Sequence, residues 1–375
     1  MNNTISERGV AFAKKRPLFF DVLSNLWHPE SNPDGIVNLG LAENSLLHRE
    51  LTDFINSQRL ASPHTLTYGD GFSGSKLLQE TLCRFLNRHF RPRVALEPTG
   101  MLITSGVSNA VECCAWSLFE PGDYVMVGRP YWTTFQHLFG TRAGVKVLEV
   151  SFDSVDPFGE DAAEIYDKAC IQAGEEGKRI RGLLLCSPNN PLGKCYPRNV
   201  LESLMKLQGY LGIFAHLACK DLGATGLRIG CLISQHNSAF LASAEGISLF
   251  NFPSSLADST TSALLTSDEY VDSLVALNRR RLAESYRYIT EFLQSHKIPF
   301  RESNAALFVW VNLGAVARGS NLSDDEILER LHAEKIYITS GRTYASEQPG
   351  WFRLVFAHSP EVLAEGLRRM IRSLA

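Results

Sequence analysis

Short apolar runs rich in β-branched residues alternate, along the first two thirds of this 375-residue chain, with stretches whose apolar positions recur every three or four residues. That alternation predicts the strands of a mainly parallel sheet joined and covered by helices, an α/β class. Met101-Leu102-Ile103-Thr104 reads as a strand that turns at Ser105-Gly106 into a helix over 108–119. Tyr124-Val125-Met126-Val127, Val145-Lys146-Val147-Leu148-Glu149-Val150 and Gly182-Leu183-Leu184-Leu185-Cys186 read as further strands, with room for a helix to start between Tyr131 and Thr141. After about residue 255 the pattern changes to a long amphipathic helix over 267–295, strands near 306–311 and 352–356, and a last helix from Pro360. The change predicts an N-terminal arm over 1–45, a large domain over 46–255 and a smaller α+β domain over 256–375. No internal repeat or low-complexity linker interrupts the pattern.

Composition narrows the class. With 45% hydrophobic residues the chain carries enough apolar side chains for a large shared core. A net charge of -3 with acids and bases interspersed gives no reason to expect a nucleic acid or an anionic membrane as partner. The eight cysteines, at 83, 113, 114, 170, 186, 195, 219 and 231, form no C-x-x-C pair and read as reduced thiols. No apolar run approaches the roughly 18 residues that span a bilayer, and the first residues lack an apolar signal segment, so a cytoplasmic location is expected. Neither H-E-x-x-H nor another paired metal-ligand motif occurs, and no metal is expected.

The chemistry concentrates in the stretch from Cys219 to Gly230, where Lys220 and Arg228 stand eight positions apart among glycines 223, 226 and 230. A lysine that forms a Schiff base needs a depressed pKa and a fixed position, and a nearby cation contributes to both. An arginine fork can hold a phosphate by two charge-assisted hydrogen bonds. Taken alone, the stretch also reads as a surface Lys-Asp pair followed by a buried strand. Three other turns follow strands, where open α/β sheets place ligands. Thr104-Ser105-Gly106-Val107-Ser108 leads into a helix whose free N–H groups would face an anion, or is an ordinary capped helix. Pro130-Tyr131-Trp132 offers an aromatic ring for stacking on a flat heterocycle, or for core packing. Asn189-Asn190-Pro191-Leu192-Gly193 presents an asparagine amide, or is turn chemistry only.

Together and in this order these segments resemble fold-type I pyridoxal phosphate enzymes, in particular class I/II aminotransferases and 1-aminocyclopropane-1-carboxylate synthases, from about residue 36 to the C-terminus. The resemblance implies a pyridoxal 5'-phosphate cofactor attached to Lys220, with its phosphate held by Arg228, Val107 and Ser108. It implies that Trp132 stacks on the pyridine ring and that Asn190 bonds its 3'-oxygen. Asn38-Leu39-Gly40-Leu41-Ala42-Glu43-Asn44 is similar to the synthase N-terminal motif and implicates Glu43 in substrate binding. Pro349-Gly350-Trp351-Phe352-Arg353-Leu354 resembles the segment whose arginine, here Arg353, binds the substrate α-carboxylate. Tyr68 resembles the tyrosine that crosses to the partner subunit's phosphate, with Phe72 as a rival alignment, and a homodimer is implied. The wording of Tyr68-Gly69-Asp70-Gly71 and Gly223-Ala224-Thr225-Gly226 is similar to fungal synthase-like proteins of secondary metabolism, which include carbon–sulfur lyases of epipolythiodioxopiperazine pathways. An amino acid or amino-acid conjugate is the expected substrate, with transamination or elimination as the outcome.

One departure stands out against the family pattern. Between the Asn-Pro-Leu-Gly turn and the lysine, the family carries an Asp-Glu-Ile-Tyr-like strand whose aspartate pairs with the pyridine nitrogen, and this chain has neither the aspartate nor the tyrosine. The 27 positions from Gly193 to Lys220 hold one helix, over 199–207, and one strand within 210–219. At least one strand and its crossover are expected to be missing, which weakens the electron sink and removes ladder pairing from the sheet interior. A degenerate homologue that binds without turnover therefore stays open beside the enzyme. A nucleotide binder is the third reading, because Gly69-Asp70-Gly71-Phe72-Ser73-Gly74-Ser75-Lys76 approximates G-x-x-x-x-G-K-[ST] with its lysine and serine in the wrong order.

Overall fold

The computed structural model describes residues 4–13, 18–207, 214–216, 222–319 and 322–375. Helices α1 (Glu7–Ala13) and α2 (Phe19–Leu23) precede strand β1 (Val37–Asn38), and α3 (His48–Ser57) and α4 (Lys76–Phe90) follow it. The central stretch runs β2 (Met101–Ser105), α5 (Gly106–Leu118), β3 (Tyr124–Gly128), α6 (Thr134–Gly140), β4 (Lys146–Val150), α7 (Ala162–Glu175), β5 (Ile180–Leu184), α8 (Arg198–Met205), β6 (Phe214–His216), β7 (Ile229–Ile233) and α9 (Ser238–Ser248). The last third holds α10 (Ser255–Thr266), α11 (Asp268–Ser295), β8 (Phe300–Arg301), β9 (Phe308–Asn312), α12 (Asp324–Ala333), β10 (Ile336–Tyr337), β11 (Thr339–Ser340), β12 (Trp351–Val355) and α13 (Pro360–Leu374). Strands and helices thus stand where the apolar periodicity places them. The strand expected within 210–219 is present as β6, and its remaining positions lie outside the described residues. Among the described residues no helix is long and apolar enough to cross a membrane.

The sheet around the site is divided. β3 lies between β4 and β5 with all three parallel, whereas β7 lies between β2 and β6 and is antiparallel to both. Among the described residues nothing pairs with the second edge of β5 or of β6. Strands inside a helix-covered sheet are buried on both faces, as β7 is over its whole length, whereas β5 is only half-buried. Leu183 and Leu184 are half-exposed on this strand, which has a single partner among the described residues. A four-stranded antiparallel sheet, ordered β11-β12-β9-β8, and the parallel pair β1-β10 make up the second body.

Two main cores hold these layers. One gathers Leu78, Leu82, Phe85 and Leu86 of α4 with Ile103 of β2, Ile229 and Cys231 of β7, Leu264 of α10 and Val271 and Leu274 of α11. The other joins Val37 and Leu39 to Ile289 and Leu293 of α11, Val309 of β9, Phe352 of β12 and Leu367 of α13. The 28 residues of α11, about 42 Å of helix, thus have one end in each core. The expected domain division at residue 255 precedes α10 and the first turns of α11, whose apolar faces pack into the first core.

His358, just past β12, is 8% exposed, and its Nε2 has no hydrogen-bond partner. Burial is the main cause that pulls its pKa down to about 4, with His48 nearby adding to the shift. Below pH 6.5 the unfolded chain takes up a proton that the folded chain refuses, so stability falls as pH drops from 6.5 towards 4. Denaturant titrations at pH 7 and 4.5 should show wild type losing about 2 to 3 kcal/mol more than His358→Leu over that interval. Equal losses in the two proteins would mean that the imidazole takes up its proton as readily in the fold as in the unfolded chain.

Candidate active site

At the end of β2 the chain passes through Gly106, whose φ of +75° favours glycine, and enters α5 without a side-chain cap from Ser105. The first-turn amides of α5, Val107 and Ser108 among them, therefore lie open at the positive end of a 13-residue helix. β7 runs beside β2 with Ser105 opposite Ile229, so Arg228 falls at this same point. A Cβ on Gly106 would lie 2.6 Å from an Arg228 Nη atom, and a Cβ on Gly230 would lie 2.7 Å from the Gly106 carbonyl carbon. Glycines at both positions let the guanidinium lie against the helix start. Arg228 is exposed, the one described hydrogen bond of its guanidinium is a 3.4 Å contact to the Thr225 carbonyl, and no carboxylate pairs with it among the described residues. Open amides beside an uncommitted guanidinium form a cradle for a phosphate-sized dianion.

Arg353, on β12, makes the second anion position. It is 5% exposed and has no carboxylate partner among the described residues. One Nη donates to Asn190 Oδ1 at 2.9 Å, the other donates to the Gly40 carbonyl, and Nε has no partner. Rings of Phe308 and Tyr344 lie 4.9 and 5.1 Å from its guanidinium carbon. Burial pulls its pKa below the ordinary arginine value, offset by Tyr344 and Tyr337. A buried cation with an orphaned N–H and no counter-ion is costly unless an anion arrives.

Two of the segments named from the sequence touch Arg353 directly, the 189–193 turn through Asn190 and the 38–44 motif through Gly40. Asn190 meets Arg353 directly, and its turn is pinned by the Asn189 Oδ1, which accepts from Leu192 N at 3.1 Å. Glu43 is half-buried between Gly40, which takes the Arg353 bond, and Asn44, whose carbonyl is 3.0 Å from where a Gly223 Cβ would stand. Trp132 is half-buried, edge-on to Phe135 at 5.5 Å, and its loop is bonded to the second body through Tyr131 N to the Tyr344 carbonyl at 2.9 Å. Tyr68 is 73% exposed, in an edge-packed trio with Phe72 and Phe252, and no described contact joins it to either arginine. Lys220, with Cys219 and Asp221, lies outside the described residues.

The glycine-rich loop at 69–76 does not have a nucleotide binder's free amides. Asp258 accepts from Ser75 N at 2.8 Å, and Asp70 accepts from Lys76 N at 3.1 Å. Carboxylates already occupy the places where a phosphate would sit. Sequence reasoning passed over Tyr344, Tyr337 and Thr339, because buried aromatics and short strands give the same signal whether they line a core or a site.

Several solved aminotransferases share this fold. An aspartate aminotransferase of Thermus thermophilus superposes with a TM-score of 0.77 at 21% identity, covering 99% of this chain and 100% of that one. The fold is that of the fold-type I pyridoxal-phosphate enzymes. The family described as aminotransferase class I and II matches residues 35–214 and 218–370, and the chain belongs to that family. Its cofactor is pyridoxal 5'-phosphate and its class of activity is aminotransfer. Among relatives, "Probable aminotransferase aclI" of Aspergillus oryzae is 29% identical, covering 89% of this chain and 90% of its own length. "Probable inactive 1-aminocyclopropane-1-carboxylate synthase-like protein 2" of Mus musculus is 27% identical, covering 99% and 72%. The Aspergillus alignment runs over 385 positions while taking in 89% of 375 residues, so tens of its positions have no residue here. The family match itself breaks beside β6.

Proposed function

We propose that the chain acts on the α-amino group of an amino acid or amino-acid-derived conjugate, by transfer or by carbon–sulfur elimination, in the cytoplasm and in secondary-metabolite biosynthesis. The observation that carries the substrate assignment is Arg353, a buried guanidinium with no carboxylate partner among the described residues. A substrate α-carboxylate supplies that anion and completes the Nε bond. The cradle at Arg228, Val107 and Ser108 fits the phosphate of pyridoxal 5'-phosphate, Asn190 suits its 3'-oxygen, and Trp132 its ring. When bound, that cofactor supplies an electron sink for the charge left on the substrate α-carbon. Lys220 would hold the cofactor and its amine would serve as the base for the α-proton, while Arg353 would bind the substrate carboxylate. Glu43, beside the clamp, is placed to meet the substrate's outer end.

In this reading the site is completed by a second copy. Tyr68, Phe252 and the exposed Leu66 and Phe250 make an apolar patch suited to self-association, from which Tyr68 reaches the partner's phosphate. The secondary-metabolite setting rests on the wording of Tyr68-Gly69-Asp70-Gly71 and Gly223-Ala224-Thr225-Gly226 alone. The divided sheet favours a second reading, a homologue that binds without turnover, since among the described residues no carboxylate is assigned to the pyridine nitrogen.

The test is the visible absorption of purified protein with pyridoxal phosphate, followed by borohydride reduction and peptide mapping, with Lys220→Ala alongside. A band above 400 nm, trapped on Lys220 and absent from the variant, is the expected result. Folded protein that gives no band would sink the catalytic reading.

A further inference from the structure

Buried arginines are ordinarily paired with carboxylates, and Arg353 is instead bracketed by aromatic rings. We propose that Tyr344 is a positioning residue for this carboxylate clamp: its ring face holds the guanidinium of Arg353 in place of an acidic side chain and so leaves the Nε–H, which has no partner among the described residues, for substrate. The inference rests on the reading of Arg353 as the carboxylate site. An acidic partner would compete for the same in-plane donors, whereas a ring attracts the cation through its face.

Tyr344 is itself held from several directions. It is 1% exposed, its hydroxyl shares a 2.7 Å hydrogen bond with the Thr339 hydroxyl, and Trp310 packs edge-on at 5.5 Å and 89°. Its main-chain carbonyl accepts from Tyr131 N, the residue before Trp132. Flanking residues repeat the connection, as Arg129 Nε donates to the Ala345 carbonyl at 2.7 Å and the Thr133 hydroxyl donates to the Thr343 carbonyl at 2.9 Å. The ring that positions Arg353 is therefore positioned by the loop that carries Trp132, and the carboxylate clamp keeps register with the ring-stacking position across the two bodies. Burial raises the Tyr344 phenol pKa, so the hydroxyl stays protonated and adds no charge to the clamp.

Calorimetric binding of 3-phenylpropionate to the full chain tests this without requiring turnover. Tyr344→Phe, which keeps the ring face, should bind within about twofold of wild type, and Tyr344→Met, which keeps the bulk but not the face, about tenfold more weakly. Wild-type affinity in Tyr344→Met, or an equal loss in both variants, would overturn the proposal. Should Tyr344→Met fail to fold, 3,4,5-trifluorophenylalanine at 344 keeps the shape while depleting the face, and is expected to weaken binding relative to Tyr344→Phe; parity would overturn it. Arg353→Gln is the control for the underlying reading. If it binds as wild type does, the carboxylate assignment fails and the role of Tyr344 falls with it.

Discussion

Arg353→Gln is expected to lower kcat/KM for amino-acid substrates by at least about a hundredfold, mostly through KM, while leaving the fold no less stable. The two halves of that expectation come from one observation. Arg353 donates to neutral oxygens of Asn190 and Gly40, and the described structure surrounds its charge with rings but no counter-ion. Removing an uncompensated buried cation relieves a desolvation cost, whereas removing half of a buried ion pair creates one. Neutralising a structural arginine would destabilise, and neutralising one reserved for a ligand would not. Thermal melts and steady-state kinetics on the same preparation separate the cases. A marked fall in Tm with substrate affinity intact would make the guanidinium structural.

The second large effect should come from restoring the segment before Lys220. Insertion, between Leu207 and Phe214, of the corresponding strand and crossover from the Aspergillus oryzae relative is expected to raise Tm by about 5 °C or more. Cofactor affinity should rise at least about tenfold, because the family's segment brings the aspartate that pairs with the pyridine nitrogen. The stability gain follows from the divided sheet. A central parallel strand would pair with the second edges of β5 and β6 and cover Leu183 and Leu184, each apolar side chain so buried contributing about 1.5 to 3 kcal/mol before the cost of ordering the new chain. Calorimetry and a cofactor titration of the insertion variant check both parts. A variant less stable than the parent, with unchanged affinity, would show that the two sheets need no strand between them.

The strand-turn-helix from Met101 into α5 was legible from the residues because its apolar run ends at a glycine and small polar side chains, and local geometry allows little else. β3, β4, β5, β9, β12 and α13 were legible for the same reason: their side chains repeat with the period of the element that buries them. The shortage of residues before Lys220 was also readable, since counting positions needs no coordinates. Resemblance alone marked Arg353, because an arginine in a strand carries no sign of its purpose, whereas Arg228 and Asn190 were already candidates from the glycine- and proline-bearing turns they stand in.

The chain's order of residues decides its local elements, its family and the shortness of the segment before Lys220, because those depend on neighbours within a few positions or on simple length. Tertiary structure alone decides which distant groups meet. It sets the Arg228 guanidinium against Gly106, brings Asn190 and Gly40 to one arginine on β12, and lays Tyr344 beneath that arginine while its carbonyl ties down the Trp132 loop. It also shows that the amides of Ser75 and Lys76 in the 69–76 loop are already taken by carboxylates, and that α11 carries one end into each of two cores. The physical reason is that hydrogen bonding and burial act through space, so a side chain's charge, partner and exposure are properties of its surroundings rather than of its place in the chain.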